Sequence, residues 1–504
     1  MDINYIKEID ESRVYDVAER TPITPLNKIS QKYSNTIHLK REDLQPIFSF
    51  KCRGAYNKIS SLSSKDKEQG IIAASAGNHA QGVALSASKL NIDATIVMPT
   101  TTPSIKIESV RKFGVKVKLY GDSFDEAYEN ALKVSKNEGK IFIHPFDDPL
   151  VIAGQGTVAK EIVEELEDAP DIFFIPVGGG GLISGMSLYI KKHYPNAKVY
   201  GVESEDAPTL FTSLKNGKPT TLDQVGLFVD GCAVKRIGEE TFRISKKYVD
   251  GVILVSIDET CAAIKDIYED TRVMSEPAGA LSVAGMKKFV LSNKVTNKKI
   301  IVVNSGANLN FDRLRHVTER AEIGEGKELL LSVKIPEISG SFRAFCEVLG
   351  KRSISEFNYR YANEKSANVF VGIKTDNILK DTKNIFDDLY SHKYDFIDLT
   401  QNEVAKLHLR YMVGGKPSSI INEKLFRFEF PEKPGALLNF LNKMKKDWDI
   451  TLFHYRNHGS AFGRVLVGID IGNYDKDDLN EFLKDLDYKY TEETENEGYN
   501  SFLK

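Results

Sequence analysis

The fold is decided by residues 171–182, which read DIFFIPVGGGGL. Asp171–Val177 is a continuous β-rich run, which predicts a strand with both faces covered, and a helical pattern begins near Ile183. Glycines at this junction let backbone N–H groups surround a phosphate, and the helix dipole adds roughly 0.3–1 kcal/mol of attraction. The turn has neither the Lys-Ser/Thr of a Walker loop nor the dinucleotide spacing. By itself it is as consistent with an ordinary strand-to-helix turn as with a phosphate loop.

The strand-then-helix pattern of this turn recurs in the segments before and after it. From about residue 65 to 310, short β-rich runs alternate with helical patterns, which is typical of a parallel α/β sheet. Phe124–Val134 has the apolar spacing of an amphipathic helix. Further strands are predicted at Ile92–Met98, Lys198–Val202, Gly251–Val255 and Lys299–Val303.

Beyond residue 325 the chain contains a duplication with an offset of about 95 residues. Three blocks recur in the same order: Leu329–Pro336 as Lys424–Pro431, Glu356–Arg360 as Leu452–Arg456, and Val369–Ile373 as Val465–Ile469. Each copy reads strand, turn, helix, strand, hairpin, strand, helix, strand. The sequence therefore predicts two small α+β modules joined by a linker.

Composition restricts the class of protein. The 504 residues exceed a single ordinary core and predict at least two domains. The 68 basic and 71 acidic residues give a net charge of −3, so no general field favours nucleic acid or acidic lipid. No apolar run approaches the roughly 20 residues that cross a bilayer. The cysteines are far apart, without metal-ligand spacing, and we expect a cytoplasmic protein without a metal site.

Lys51 lies among aromatic and small residues in SFKCRGAY, residues 49–56, where a helix is predicted to begin. Most lysines are solvated surface charges. In packed surroundings, however, the ammonium form loses hydration, so the pKa falls and the amine can attack an aldehyde. Alone, this pattern is only suggestive of a reactive lysine.

Two further segments follow predicted strands. ASAGNHAQG, residues 74–82, presents backbone N–H groups at a helix N-terminus, which suits a carboxylate, although an ordinary turn has the same local pattern. NSGAN, residues 304–308, places a hydroxyl at a strand end, where it can hydrogen-bond an unprotonated pyridine nitrogen. His79 taken alone is more often structural than catalytic.

Together these segments resemble the fold-type II pyridoxal-phosphate enzymes, and more narrowly the biosynthetic threonine dehydratases. The resemblance runs essentially the full length and includes SEPAGA at residues 275–280 and EFPEKPGAL at residues 429–437. It implies an α/β catalytic domain followed by two ACT-like regulatory modules. The implied bounds are 1–322 for the catalytic domain, 328–399 and 423–494 for the modules, and 400–422 for the linker.

The resemblance also implies roles for individual residues. Lys51 matches the lysine that forms a Schiff base with pyridoxal 5'-phosphate, Asn78 the residue that bonds the cofactor's 3-oxygen, and Ser305 the partner of its pyridine nitrogen. Glu276 matches an acidic position near the cofactor, without an assigned role. The phosphate would be held by Gly178, Gly179, Gly180, Gly181 and Leu182. The substrate carboxylate would be held by Ser75, Ala76, Gly77, Asn78 and His79.

Two departures from the related serine racemases refine the expectation. Their second acid/base is a serine two residues before the asparagine, and here that position is Ala76. Elimination is therefore favoured over racemisation. Their cation site expects a carboxylate at the position of Thr209, which argues against a divalent metal.

The implied activity is deamination of L-threonine to 2-oxobutanoate and ammonia, the first committed step of isoleucine biosynthesis, with inhibition by isoleucine opposed by valine. A homotetramer is implied. A serine dehydratase, or a cysteine- or threonine-synthase relative, and a non-catalytic amino-acid sensor are the alternatives. Candidate effector residues are Phe342, Tyr359, Leu437 and Tyr455, which could equally fill each module's core.

Overall fold

The computed structural model describes residues 4–336, 341–350, 352, 354–361, 366–375, 378–409, 423–431, 440, 443–444, 448–456, 462–471, 476–486 and 488–502. The chain divides into two compact units, Met1–Val317 and Thr318–Lys504. Among the described residues, no helix is both long enough and apolar enough to cross a membrane.

The first unit contains two sheets. Its strands are β1 (Ile23–Pro25), β2 (Thr36–Arg41), β3 (Ile71–Ala74), β4 (Ala94–Met98), β5 (Lys116–Leu119), β6 (Ile141–Phe142), β7 (Ile172–Pro176), β8 (Lys198–Ser204), β9 (Gly251–Val255) and β10 (Lys299–Asn304). The larger sheet has the order β1-β2-β10-β7-β8-β9 and the smaller β5-β4-β3-β6. All pairings are parallel except that of β1 with β2.

Helices cover these sheets. Those of the first unit are Tyr5–Asp10, Asn27–Tyr33, Lys51–Ser60, Ser64–Gln69, Asn78–Leu90, Ser104–Arg111, Phe124–Glu138, Pro149–Glu165, Gly181–His193, Thr209–Asn216, Glu239–Tyr248, Ile257–Thr271 and Pro277–Asn293. The helix Leu314–Gly324 contains the point of division. Every residue of β7 is buried. Phe173 and Ile175 belong to the main hydrophobic core, and Phe174, on the opposite face, packs against Tyr200 and Phe289.

The strands and the helix predicted for the first unit are present, with shifted ends that have local causes. The strand expected from Ile92 begins at Ala94, because Asn91 adopts a left-handed conformation that ends the preceding helix. The helix expected at Phe124–Val134 continues to Glu138 and ends at Gly139, also left-handed. Its start is fixed by a capping box between Ser123 and Glu126.

The second unit contains two antiparallel sheets with the same strand order. Their strands are β11 (Glu328–Pro336), β12 (Ile354–Tyr361), β13 (Ser366–Lys374), β14 (Asp395–Asp398), β15 (Glu423–Pro431), β16 (Asp449–Arg456), β17 (Phe462–Asp470) and β18 (Lys489–Glu492). The orders are β12-β13-β11-β14 and β16-β17-β15-β18. Among the described residues of this unit, the helices are Ser341–Leu349, Ile378–Ser391, Glu403–Leu407, Lys476–Leu486 and Glu497–Phe502, and the helix predicted after Gly435 lies outside them. The duplication expected from the sequence is therefore a duplication of topology.

Matching hydrogen bonds support this relationship between the two modules. The Thr400 hydroxyl accepts from the Leu330 N–H at 3.0 Å, and Thr494 accepts from Leu425 at 3.1 Å. Equivalent strands also contribute to one hydrophobic core, which includes Leu330 of β11 and Leu425 of β15. The two modules thus bury apolar faces against each other as repeats do.

Candidate active site

Lys51 is the first residue of the helix Lys51–Ser60 and is mostly buried. Its Nζ donates to the Pro145 carbonyl oxygen at 2.9 Å and lies 5.2 Å from the centroid of the Phe50 ring. Burial lowers the pKa of Lys51 to about 8, although the electrostatic influence of the neighbouring Cys232 and Glu276 acts in the opposite direction. The neutral, nucleophilic amine is therefore much more accessible near neutral pH than in an ordinary lysine.

The backbone at Lys51 is held by close packing. A Cβ on Gly82, in the neighbouring helix Asn78–Leu90, would lie 2.8 Å from the Lys51 carbonyl oxygen. Arg53 lies two residues after Lys51, and its buried guanidinium pairs with Glu42 at 2.7 Å and with Glu161 at 2.6 Å. These contacts leave the start of the helix little freedom, so the amine is presented from a rigid element.

The loop Ser75–Gly77 connects β3 to the helix Asn78–Leu90. The Gly77 N–H donates to the Ser75 hydroxyl at 3.2 Å, and no atom lies within 4 Å of the position a Gly77 Cβ would take. The open space is next to the N-terminus of this thirteen-residue helix, where the free backbone N–H groups attract a carboxylate. Ser75, Ala76, Gly77, Asn78 and His79 are thus continuous around one helix start.

His79 has a defined structural contact within this segment. Its Nε2 lies 3.0 Å from the Ile143 carbonyl oxygen, and its side chain is buried. Burial, reinforced by the charge of Lys51, lowers the pKa of His79 to about 3. A carbonyl only accepts, so Nε2 carries the ring's proton and the imidazole is neutral. Its backbone, rather than its imidazole, is the part suited to an anionic ligand.

The tetraglycine turn follows β7 and opens the helix Gly181–His193. Gly180 has a φ of 91°, a conformation that L side chains rarely adopt. A Cβ on Gly178 would lie 2.9 Å from the Cα of Cys232, and one on Gly179 would lie 2.1 Å from the ring of Phe146. Side chains are thus excluded for steric reasons, so the turn offers only its backbone N–H groups, at the start of a helix, to an anionic ligand.

Ser305 lies directly after β10, the strand that pairs with β7. The Ser305 carbonyl oxygen accepts from the Phe50 N–H at 3.2 Å, which brings this strand end next to Lys51. The carboxyl ends of adjacent parallel strands meet at one sheet edge, so the tetraglycine turn and Ser305 share that edge. The structure therefore brings together the lysine, the glycine turn and Ser305, which the sequence placed far apart.

Three residues without a role in the sequence analysis also border this site. Glu276, Cys232 and Asn308 are connected to it by packing, charge or hydrogen bonds. Glu276 is buried, and its Oε1 accepts from the Asn78 Nδ2 at 2.7 Å. Burial, with the charge of Asp230, raises the pKa of Glu276 to about 7. The one sequence feature that pointed to Glu276 was the SEPAGA segment, in which this glutamate directly precedes the helix Pro277–Asn293.

The residues present fit pyridoxal phosphate. The glycine turn has no room for side chains, the lysine has a depressed pKa, and both lie at one site. The groups fit an aldehyde and a phosphate, for which no metal is required. Within the described ranges, no cluster of metal-ligating side chains is present.

Comparison with known proteins gives the same result. Residues 14–306 match the pyridoxal-phosphate dependent enzymes, and residues 319–409 and 414–503 match the C-terminal regulatory domain of threonine dehydratase. The chain is 50% identical over 500 residues to the biosynthetic L-threonine dehydratase of Pasteurella multocida, covering 99% of this chain and 97% of that protein. The chain belongs to the threonine dehydratase family. The predicted family, the fold-type II α/β class and the pyridoxal-phosphate requirement are confirmed.

Solved structures of the family cover mainly the catalytic part. Processed threonine deaminase isoform 2 of Solanum lycopersicum matches with a TM-score of 0.62 and 47% identity, over 63% of this chain and 88% of that chain. A serine racemase of Dictyostelium discoideum matches with a TM-score of 0.57 and 32% identity, over 61% and 99%. The same fold therefore supports two reactions, and the difference depends on residues at the site.

Proposed function

We propose that this threonine dehydratase family member deaminates L-threonine to 2-oxobutanoate and ammonia, as the first committed step of isoleucine biosynthesis. The observation that carries the proposal is the buried Lys51 amine at the same site as the tetraglycine turn. The curated relatives it matches over nearly its whole length are named as biosynthetic threonine dehydratases. A second unit with two modules is consistent with a regulated biosynthetic enzyme.

Each loop at the site would hold a different part of the cofactor. Lys51 would form the Schiff base, Asn78 would donate to the 3-oxygen, Gly178–Leu182 would hold the phosphate and Ser305 would bond the pyridine nitrogen. When bound, pyridoxal phosphate supplies an electron sink for the pair of electrons left at the substrate Cα. A serine at the nitrogen makes this sink weaker than the aspartate pair used elsewhere.

The chain's own residues then bind substrate and move a proton. The N–H groups at the start of the helix Asn78–Leu90 would hold the substrate carboxylate, since the helix dipole favours an anion there. The Lys51 amine, once released by substrate, would take the Cα proton, because its lowered pKa leaves it neutral in part near pH 7. Loss of the β-hydroxyl as water and hydrolysis of the released enamine give the keto acid and ammonia.

Ala76 favours elimination over racemisation. It lies in the loop Ser75–Gly77, where a serine in the racemases would deliver a proton to the opposite face of Cα. A methyl group carries no proton to exchange. The reaction should therefore proceed from the Lys51 side alone.

Serine is the main competing substrate. It differs from threonine by one methyl group, which gives only about 1–3 kcal/mol of discrimination in an apolar pocket. We therefore include L-serine as a slower substrate. A cysteine- or threonine-synthase relative is disfavoured by the near full-length match to dehydratases, and a non-catalytic sensor by the intact lysine and glycine turn.

Isoleucine is the proposed inhibitor and valine the opposing effector. Phe342 lies on the helix Ser341–Leu349, and Tyr359 and Tyr455 lie on β12 and β16; their side chains and all of Leu437 lie outside the described residues. An effector coupling of about 1–3 kcal/mol would change threonine affinity five- to 150-fold. We propose a cytoplasmic homotetramer as the active form.

The test is keto-acid formation by the holoenzyme from threonine and from serine, with and without isoleucine. Lys51→Ala should abolish turnover, and Lys58→Ala is the matched control. Lys58 lies in the same helix and pairs with Asp148 at 2.7 Å, outside the site. Turnover of threonine by Lys51→Ala at the rate of the intact enzyme would overturn the proposal, and indifference to isoleucine would overturn the feedback part.

A further inference from the structure

The Asn78 amide lies between two side chains to which the proposed function gives no role. Its Nδ2 is 2.7 Å from Oε1 of Glu276, and its Oδ1 is 2.7 Å from Nδ2 of Asn308. The sequence separations of 198 and 230 residues show that three distant segments meet here. The contacts fix how the Asn78 side chain is turned.

The direction of this network follows from the Ile47 carbonyl. Asn308 Nδ2 donates to the Ile47 oxygen at 2.8 Å, and a carbonyl can only accept. The same Asn308 nitrogen also donates to Asn78, so the Asn78 atom that accepts must be Oδ1. The Asn78 nitrogen then faces Glu276, whose carboxylate accepts. The Ile47 carbonyl therefore determines which atom of the Asn78 amide is the oxygen and which is the nitrogen, although the two have nearly the same shape.

Glu276 is held where only an acceptor is useful. It is 5% exposed, and its carboxylate accepts from the Asn78 amide and from the Asn308 backbone N–H. A Cβ on Gly306 would lie 2.5 Å from its Oε1, so the chain directly after β10 packs closely against this carboxylate. Among the described residues, it has no ion-pair partner within 4.0 Å, while Lys51 lies within electrostatic reach.

We propose that Glu276 is a positioning residue that, with Asn308, holds the Asn78 amide with its nitrogen toward the cofactor. This rests on the proposed function, in which Asn78 contacts the cofactor's 3-oxygen. One Asn78 N–H is donated to Glu276, and the second is the donor left for a ligand. An N–H donor favours an anionic 3-oxygen over a hydroxyl. The Glu276 charge, in turn, stabilises a positive nitrogen on Lys51.

The consequence is a preference for the protonated, visibly coloured form of the lysine-bound cofactor. Glu276→Gln keeps the shape of the side chain but has only one acceptor oxygen, whereas the Asn78 amide and the Asn308 backbone N–H both donate to Glu276. It also removes the negative charge near Lys51. Asn308→Ala keeps the charge and releases the Asn78 oxygen together with the Ile47 carbonyl oxygen. The two variants therefore separate the electrostatic effect from the effect on orientation.

The experiment is a pH titration of the visible absorption of the holoenzyme, together with cofactor affinity by equilibrium dialysis. We expect Glu276→Gln to lower the pH at which half of the visible band is lost by about one unit or more. It should also weaken cofactor binding several-fold. Asn308→Ala should weaken cofactor binding in the same direction, with a smaller shift of the titration.

Glu203→Gln is the matched control. Glu203 is another fully buried carboxyl group, and it accepts from the backbone N–H groups of Thr209, Leu210 and Phe211, the last two at 2.7 Å and 2.9 Å. It should leave the titration unchanged. Wild-type titration and affinity in both Glu276→Gln and Asn308→Ala would overturn the inference. Visible absorption that survives Lys51→Ala would instead overturn the proposed function.

Discussion

Replacing Arg53 by methionine tests the packing that holds Lys51 in place. Arg53 is fully buried and donates five hydrogen bonds to the four groups Glu42, Glu161, Thr157 and the Glu19 carbonyl. Methionine fills similar volume but leaves the two carboxylates short of a cation. Lys40 still pairs with Glu161 at 2.7 Å, so Glu42 loses its only ion-pair partner among the described residues.

The magnitude follows from the cost of an uncompensated buried charge. Removing one partner of a buried ion pair costs about 3–5 kcal/mol. With an unfolding entropy of about 2 cal/mol/K per residue, a unit the size of Met1–Val317 should lose about 4–8 °C in Tm. Cofactor affinity should fall as well, because the start of the Lys51 helix is no longer fixed.

The assay is a thermal unfolding scan of the full chain at one cofactor concentration, with Arg20→Met as the control. Arg20 pairs with Glu164 at 2.7 Å, but its side chain is 58% exposed. Such surface pairs contribute about 1 kcal/mol or less. Equal shifts for the buried and the exposed arginine would refute the reasoning.

Three further outcomes follow from the structure. Gly180→Ala should weaken cofactor binding and cost about 1–3 kcal/mol of stability, since the Gly180 φ is 91° and a Cβ would lie 2.8 Å from the Thr241 Cβ. Equilibrium dialysis measures the cofactor affinity, and a thermal scan measures the stability. Capture of pyridoxal phosphate by the apo-protein should rise with pH around a midpoint near 8, where the Lys51 amine loses its proton. Thr400→Val and Thr494→Val should each cost about 1–3 kcal/mol, by denaturant unfolding, because each orphans a buried N–H.

Each of these outcomes has a clear contrary result. Unchanged cofactor affinity in Gly180→Ala would mean that the turn does not hold the phosphate. A capture midpoint above pH 10 would mean that burial does not lower the pKa of Lys51. A large loss in only one of the two threonine variants would mean that the modules are not equivalent in their packing.

Local sequence patterns were sufficient for the catalytic fold because the elements are long and regular. The continuous run at Asp171–Val177 predicted β7, and the four glycines could connect it to a helix only through a tight turn. The repeated blocks likewise predicted the two sheets of the second unit, because similar segments in the same order indicate a repeated topology. Element ends differed where single left-handed residues, such as Asn91, stopped a helix.

The connections across the site could not be predicted in the same way. Glu276 meets Asn78 over 198 residues, and no local period records which strand ends become neighbours. The burial of Arg53 was equally hidden, because its partners lie on two other helical segments. His79 illustrates the converse: its ring contact with Ile143 depends on a strand pairing that a nonapeptide motif does not contain.

Whether Lys51 carries the cofactor is tested by reducing the cofactor-loaded protein with borohydride and identifying the modified peptide by mass spectrometry. Reduction makes the lysine–cofactor bond permanent. We expect a single labelled residue, Lys51, and no label when Lys51→Ala is treated in the same way. Label on a different lysine, or equal labelling of the Lys51→Ala protein, would contradict this expectation.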